Sequence, residues 1–191
     1  MHLTPSIFRK YDIRGTYPAE INPEVVNVIV ARLGQWFSSK RTKSKVIILG
    51  HDARSSSEVL YRAAWQTLKT YPGLTVLPAG LITTPMLYYL VSSRHAEGGL
   101  LITASHSPIA YNGMKVVREA AVNISGITIG EWLEKYKLPA SHKISDLSTP
   151  VPKPASNLHQ DYADCSRRHV IARCHVYFIR GQRIVNRQRR T

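Results

Sequence analysis

Two kinds of apolar segment alternate along the first two thirds of the chain. Short runs of strand length occur at 46–49, 74–77 and 100–102, and between and before them lie segments with apolar residues at helical spacing, at 25–37, 59–68 and 86–91. Strand and helix in alternation are typical of a sheet covered by helices on both faces. The sequence therefore predicts an α/β fold with three layers, α/β/α, around a mixed and mainly parallel sheet.

Polar segments follow two of the predicted strands. The segment Gly50–Ser57 separates the strand at 46–49 from the next helix, and open α/β sheets bind ligands in such loops. The N-terminus of the following helix also favours anions. Ser55, Ser56 and Ser57 either bind an anion or cap the helix, and both interpretations stay open.

The pair Asn-Pro at 22–23 predicts the start of the first helix.

The stretch 98–115, GGLLITASHSPIAYNGMK, contains the strongest candidate for a reactive group. Its apolar run ends abruptly in small polar residues, as in a buried strand that delivers a loop to the sheet edge. The hydroxyl of Ser105 is the candidate reactive group, with His106 beside it. Residues 111–113 predict a turn, which would bring Lys115 back over the loop.

A mixed aromatic and charged segment, FRKYDIRG, occupies residues 8–15. It predicts a strand that enters a turn at Gly15, because glycine adopts positive φ angles readily. Its two arginines, lysine and tyrosine either line a phosphate site or form a solvated surface.

Composition divides the 191 residues into three parts. Residues 1–140 are expected to form the α/β domain, and 141–160 a proline-rich linker. Residues 161–191 are expected to form a basic, irregular and disordered tail. From 160 to 191 there are eight arginines, no lysines and two aspartates, so this end supplies +6 of the net charge of +14. The rest of the positive charge suits phosphorylated substrates as well as a polynucleotide.

Targeting and cysteine signals are weak. No apolar run approaches the roughly 18 residues of a membrane span, and the N-terminus has no secretory pattern, so the expectation is a cytoplasmic protein without a membrane partner. Cys165 and Cys174 form neither a disulfide framework nor a zinc spacing.

Four segments together resemble one family. FRKYDIRG at 8–15, GHDARSSS at 50–57, TTPM at 83–86, and TASHSP with YNGMK at 103–115 occur in the order and approximate spacing of the phosphohexomutases. The likeness, to the first domain of the phosphomannomutases and phosphoglucomutases, covers roughly residues 7–140. It implies reversible phosphoryl transfer between O1 and O6 of mannose or glucose phosphate through a hexose 1,6-bisphosphate, with a hexose phosphate as substrate.

The resemblance also implies residue roles. Ser105 matches the family's phosphoserine, and its phosphate would be a ligand of Mg²⁺, which offsets charge in phosphoryl transfer. His106 and Lys115 match loop residues placed near that phosphate. Tyr11 and Arg14 match positions near the reacting centre, and Arg14 or Lys115 is a candidate for proton transfer.

Two departures from the family pattern stand out. Ser107 occupies the place of an asparagine, which exchanges a longer amide for a hydroxyl. The aspartate-rich metal loop and the sugar-reading loops of the later domains are absent. We therefore expect a truncated member whose ending left the ancestral reading frame near Cys165, with impaired or no turnover.

Two other functions compete with this one. A hydrolase triad at Ser105 and His106 lacks the G-x-S-x-G elbow. A non-catalytic module that binds phosphate or nucleic acid is the stronger alternative. Nucleic acid is nevertheless not expected as a partner, because no basic patch with interleaved aromatics and no known nucleic-acid motif is present.

Overall fold

The computed structural model describes residues 3–39, 45–135, 147, 149–154 and 157–167. A six-stranded sheet forms its centre, with the order β1-β5-β4-β2-β3 and β6 paired with β5. The strands are β1 (Ile13–Thr16), β2 (Val46–His51), β3 (Thr75–Leu81), β4 (Gly98–Ile102), β5 (Tyr111–Arg118) and β6 (Val122–Ile124). Strands β3, β2 and β4 pair in parallel, whereas β5 pairs antiparallel with β4, β1 and β6. Among these six described strands β5 alone runs against the common direction, so the predicted mixed and mainly parallel sheet is confirmed.

Helices cover both faces of this sheet. They are α1 (Pro23–Ser39), α2 (Ser57–Leu68), α3 (Thr84–Ser93), α4 (Gly126–Lys135) and α5 (Leu158–Arg167). Strand residues alternate between the two faces. Ile47 and Leu49 pack in the core with α1, α2 and α4, whereas Ile48 packs with α3 and α5. The three-layer α/β/α arrangement is therefore confirmed.

The first helix shows why the local signals were informative. Asn22 Oδ1 accepts a hydrogen bond of 3.0 Å from the backbone N–H of Val25, and Pro23 is the first helical residue. Ile29, Leu33 and Phe37 recur at helical spacing and are fully buried. The predicted start and core-facing side of this helix are confirmed.

The predicted turns at 111–113 and Gly15 are wrong, because both segments lie inside strands. Gly113 pairs with Arg14 across β5 and β1. A Cβ at Gly113 would lie 1.9 Å from the backbone oxygen of Ile13. Glycine is needed there because the two backbones approach closely, and not because the chain reverses direction.

The boundary between linker and tail also differs from the expectation. Residues 161–167 are helical in α5 and not irregular, because tertiary contacts anchor this helix. Leu158 is buried, Asp161 pairs with Arg94, and the Tyr162 ring lies 5.5 Å from the Tyr89 ring. The boundary at 140, residues 168–191 and Cys174 lie outside the described residues. In the part of the chain that is described, no helix has the length and apolar character to cross a membrane.

Candidate active site

Ser105 lies three residues after β4, at the carboxyl end of the central strand. Its φ angle is +54°, in the left-handed region that side chains with a Cβ adopt rarely. Its backbone N–H donates a 2.8 Å hydrogen bond to Thr103 Oγ1, and its own Oγ lies 3.3 Å from His106 Nδ1. The residue is exposed. The loop therefore presents the serine hydroxyl to solvent from an uncommon backbone conformation.

Arg54, which follows β2, holds this loop by its main chain. Nη2 donates to the carbonyl oxygens of Ser105 at 3.0 Å and Ser107 at 2.6 Å, and Nη1 to those of Pro108 at 2.8 Å and Tyr111 at 3.2 Å. Parallel pairing of β2 with β4 brings the two loops together. The sequence marked residues 50–57 as a ligand loop but did not identify this contact.

Asp52 connects Arg54 with the base of the same loop. Its Oδ2 accepts a 2.8 Å hydrogen bond from the Thr103 hydroxyl and lies 3.3 Å from Arg54 Nε. Its Oδ1 accepts from the Ser57 hydroxyl at 2.5 Å and from the Arg54 backbone N–H at 3.1 Å. The carboxylate therefore fixes both supports of Ser105.

The fully buried Asn112 extends this polar network into the sheet. Its Nδ2 donates to Ser56 Oγ at 2.7 Å and to Ser57 Oγ at 3.0 Å. These two serines are thus occupied at the start of α2, which favours a structural role over anion binding. That role differs from the predicted helix cap, because Ser56 is the N-cap residue of α2 and makes no side-chain capping hydrogen bond.

Arg14 and Lys115 lie on the neighbouring strands β1 and β5. Arg14 Nη1 donates a 2.7 Å hydrogen bond to Ser107 Oγ, and its Nη2 pairs with Asp12. Lys115 Nζ donates to the backbone oxygen of Tyr11 at 3.2 Å. Burial lowers the pKa of Lys115, Arg14 lowers it further, and Asp12 acts in the opposite direction.

A cleft of about 380 Å³ opens beside Ser105. Asp52, Thr103 and Ser105 line it together with residues from the end of β3 to the start of α3, which are both apolar and polar. The lining residues are Asp52, Ala53, Leu81, Ile82, Thr83, Thr84, Met86, Leu101, Thr103, Ser105 and His159. The size suits a small molecule or an inserted loop.

The five predicted site residues fall into one region. His106 contacts Ser105, Arg14 reaches the same loop through Ser107, and Lys115 joins the region through Tyr11. The Tyr11 side chain itself is largely exposed, and Lys10 Nζ lies 5.3 Å from its ring centroid. Sequence reasoning missed Asp12, Asp52, Arg54 and Thr103.

A divalent cation finds few ligands in this region. No group of three or more histidine, cysteine, aspartate or glutamate side chains that could hold a metal ion occurs within the described ranges. The Asp52 carboxylate, which contacts the loop of residues 103–111 that carries Ser105 (the serine loop), is already bonded to Ser57, Thr103 and Arg54. These residues do not form a metal site by themselves.

The fold and the site define a class of protein: a three-layer α/β domain that presents an exposed serine and basic side chains at the carboxyl end of its sheet. Residues 5–136 match the family model described as phosphoglucomutase/phosphomannomutase, alpha/beta/alpha domain I. The chain belongs to this family.

Known relatives agree with this assignment. A phosphomannomutase of Vibrio cholerae is 37% identical over 121 residues, which are 63% of this chain and 26% of the relative. The phosphohexose mutases of Xanthomonas campestris pv. campestris are 38% identical over 126 residues, 66% of this chain and 27% of theirs. The chain thus spans about a quarter of the length of the curated relatives it matches.

Solved structures show the same fold. A phosphoglucomutase/phosphomannomutase family protein of Burkholderia thailandensis superimposes with a TM-score of 0.62 and 29% identity, over 70% of this chain and 30% of that protein. A Thermus thermophilus structure described as a phosphomannomutase gives a TM-score of 0.68 over 85% of this chain and 36% of its own. Its 22% identity supports the fold alone.

Proposed function

We propose that this chain supplies the phosphoserine domain of a phosphohexomutase, in which Ser105 carries a phosphoryl group between O1 and O6 of mannose or glucose phosphate. The observation that carries the proposal is the exposed Ser105 hydroxyl on a loop fixed by Thr103 and Arg54. The basic residues Arg14 and Lys115 stand on the adjacent strands. Such preorganised donors and charges stabilise phosphoryl transfer without rearranging during the reaction.

The transfer proceeds in two balanced steps. A hydroxyl oxygen of the hexose monophosphate attacks phosphorus and gives up its proton to a base. The bond from phosphorus to Ser105 Oγ breaks, and the departing Oγ takes up a proton. The product is a hexose 1,6-bisphosphate. In the second step Ser105 Oγ loses its proton and attacks phosphorus in the other phosphate of that intermediate. The bond from that phosphorus to the sugar oxygen breaks, and the sugar oxygen takes up a proton, which releases the isomeric monophosphate and restores phosphoserine.

Lys115 is the better candidate for the proton transfer. Its lowered pKa makes the neutral amine more accessible than in an ordinary lysine, and a base works best when its pKa lies near the working pH. The planar guanidinium of Arg14 suits phosphate oxygens, and His106 Nδ1 stands close enough to Ser105 Oγ to contact the transferred group. Tyr11 contributes its backbone oxygen, which orients the Lys115 ammonium.

Mg²⁺ would supply charge neutralisation, and a phosphate oxygen on Ser105 would be its ligand in this domain. The remaining ligands are not found among the described residues, so no step is assigned through the metal. Because the chain matches only a quarter of its relatives' length, we further propose that the 191-residue polypeptide accepts phosphate on Ser105 but turns over little or not at all.

Two assays test this function. The purified chain is incubated with glucose 1,6-bisphosphate and Mg²⁺, and its intact mass is followed beside that of Ser105→Ala. A coupled assay then follows interconversion of the 1- and 6-phosphates of glucose and mannose. We expect one phosphoryl group on the wild type, none on Ser105→Ala, and negligible interconversion. Phosphate uptake that is equal in both proteins would contradict the phosphoserine role and favour a non-catalytic phosphate-binding module.

A further inference from the structure

All the hydrogen-bond donors of the Arg54 guanidinium are bonded to acceptors within the protein. A guanidinium has five N–H groups on three nitrogens and no acceptor. Each terminal nitrogen of Arg54 makes two hydrogen bonds to carbonyl oxygens of the serine loop, and Nε forms the ion pair with Asp52. Its side chain is 14% exposed. Arg54 therefore has no donor left for a substrate phosphate.

Arg14 differs in this respect. Its Nη1 donates to Ser107 Oγ and its Nη2 pairs with Asp12, which uses one contact on each terminal nitrogen. Each terminal nitrogen carries two N–H groups, so Arg14 retains a second donor on each. The two arginines at this loop are thus divided between holding the backbone and offering donors to a ligand.

Other hydrogen bonds also support the loop: the Tyr17 backbone N–H donates to the Ala110 oxygen at 2.8 Å, and Arg14 Nη1 donates to Ser107 Oγ at 2.7 Å. Three backbone N–H groups in it are bonded locally: Ser105 to Thr103 Oγ1, Ser107 to the Ala104 oxygen, and Tyr111 to the Pro108 oxygen. All three bonds join residues within the loop or at its base. Arg54 ties the loop's carbonyl oxygens to a different element, the segment leading into α2, and that helix is packed in the core.

We propose that Arg54 is a positioning residue for phosphoryl transfer, which holds Ser105 in its left-handed conformation through the four loop carbonyls. This inference rests on the proposed function of Ser105. A 1 Å displacement of a reacting atom costs about 100-fold in rate, so a loosened loop slows the chemistry even when donor binding is kept. Asp52 supports the same role, because it orients the guanidinium through Nε and the Arg54 backbone.

Arg54→Lys is the informative substitution. Lysine keeps the positive charge but has one nitrogen with three donors and no planar fork, so it cannot span four carbonyl oxygens. Asp52→Asn provides a second variant, which keeps an acceptor for Thr103 and loses the ion pair with Arg54. Arg62→Lys is the matched control, since Arg62 pairs with Glu58 on the outer side of α2.

The test measures the rate of Ser105 phosphorylation against glucose 1,6-bisphosphate concentration by intact mass. For Arg54→Lys we expect the maximal rate to fall about 10- to 100-fold while the half-saturating concentration changes less than about threefold. Asp52→Asn should show a smaller fall of the same kind, and Arg62→Lys none. Hydrogen exchange supplies the second measurement: the amides of Ser105, Ser107 and Tyr111 should exchange at least about tenfold faster in Arg54→Lys, faster by a smaller factor in Asp52→Asn, and at the wild-type rate in Arg62→Lys.

The outcomes separate this inference from the proposed function. Slower phosphorylation without faster exchange would overturn the positioning role, as would faster exchange with an unchanged maximal rate. A rise confined to the half-saturating concentration would overturn it too, because that result belongs to a ligand-binding arginine. If the wild type takes no phosphate on Ser105, the proposed function fails, and exchange of the loop amides alone decides whether Arg54 holds the loop.

Discussion

Asn112→Ala is expected to destabilise the domain strongly, because the amide is fully buried and makes three hydrogen bonds. Its Nδ2 donates to Ser56 Oγ at 2.7 Å and Ser57 Oγ at 3.0 Å, and its Oδ1 accepts from the Gly113 backbone N–H at 2.8 Å. At a net value of roughly 1 kcal/mol per bond, the loss is about 3 kcal/mol. The alanine side chain cannot hydrogen-bond to any of these three partners.

Urea unfolding measures this loss directly. With a slope of about 2 kcal/mol per molar urea, a loss of about 3 kcal/mol moves the midpoint by about 1.5 M. The matched control is Asn123→Ala, whose side chain is exposed on β6 and whose effect should stay within about 0.5 kcal/mol. If the two substitutions cost the same, the buried network does not contribute the stability that its geometry implies.

Three further predictions concern the neighbouring strands and loop. Ser107→Ala removes the hydroxyl that accepts a hydrogen bond from Arg14, and it should raise the half-saturating concentration of glucose 1,6-bisphosphate roughly fivefold. Ser107→Thr keeps a hydroxyl and should stay near the wild-type value. Equal values for the two variants would contradict a contribution of this hydrogen bond to binding. Gly113→Ala should lower the free energy of unfolding in urea by more than about 2 kcal/mol, because its Cβ meets a backbone oxygen; a loss under about 1 kcal/mol would contradict the strand pairing. Burial lowers the pKa of Lys115 in the folded protein below the value of 10.5 for an ordinary lysine. Between the folded and the unfolded pKa the unfolded chain therefore binds more protons, so the stability of the wild type relative to Lys115→Met should rise with pH across that window. A difference in stability that stays flat or falls with pH would contradict the burial of Lys115.

Local patterns were sufficient for most of the fold. Helical spacing from Val25 to Phe37 and the Asn22 cap predicted α1, because both signals depend on residues close in sequence. Apolar runs bounded by polar loops predicted β2 and β4 for the same reason. The alternation of strand and helix then implied the direction of the strands, since a helix between them returns the chain to the same sheet edge.

Residues 111–113 show where local patterns failed. Asn-Gly is a strong turn signal, but Asn112 and Gly113 lie within β5, where each meets a tertiary demand. Asn112 satisfies buried hydroxyls at the start of α2, and Gly113 admits the β1 backbone. Both demands come from segments far away in sequence, so the dipeptide alone could not reveal them.

The sequence named the residues of the candidate site but not the residues that hold their loop in place. Ser105, His106, Lys115, Arg14 and Tyr11 were named from the sequence and lie in one region of the structure. The hydrogen bonds of Arg54 join residues more than 50 positions apart in the sequence. Their acceptors are backbone carbonyl oxygens, which every residue has, so the types of the partner residues do not indicate these bonds. A signal did exist, since residues 50–57 follow a strand predicted to run parallel to the one before Ser105.

Helix α5 was missed for a similar reason. Its sequence around Leu158–Arg167 is mostly polar, and its anchoring depends on contacts with α3 and β3. Leu158 fills the core on that face, and His159 Nε2 lies 3.3 Å from the Ala79 backbone oxygen. Composition suggested a linker and tail, because it does not report such long-range contacts.

The most direct test of the account is the position of the phosphate on the chain. After incubation with glucose 1,6-bisphosphate, peptides covering 98–118 are fragmented in a mass spectrometer, which distinguishes Ser105 from Ser107 two residues away. We predict phosphate on Ser105 in the wild type and in Ser107→Ala, and none on this peptide in Ser105→Ala. Phosphate on Ser107, or its persistence on the peptide in Ser105→Ala, would contradict the claim that Ser105 is the phosphoryl carrier.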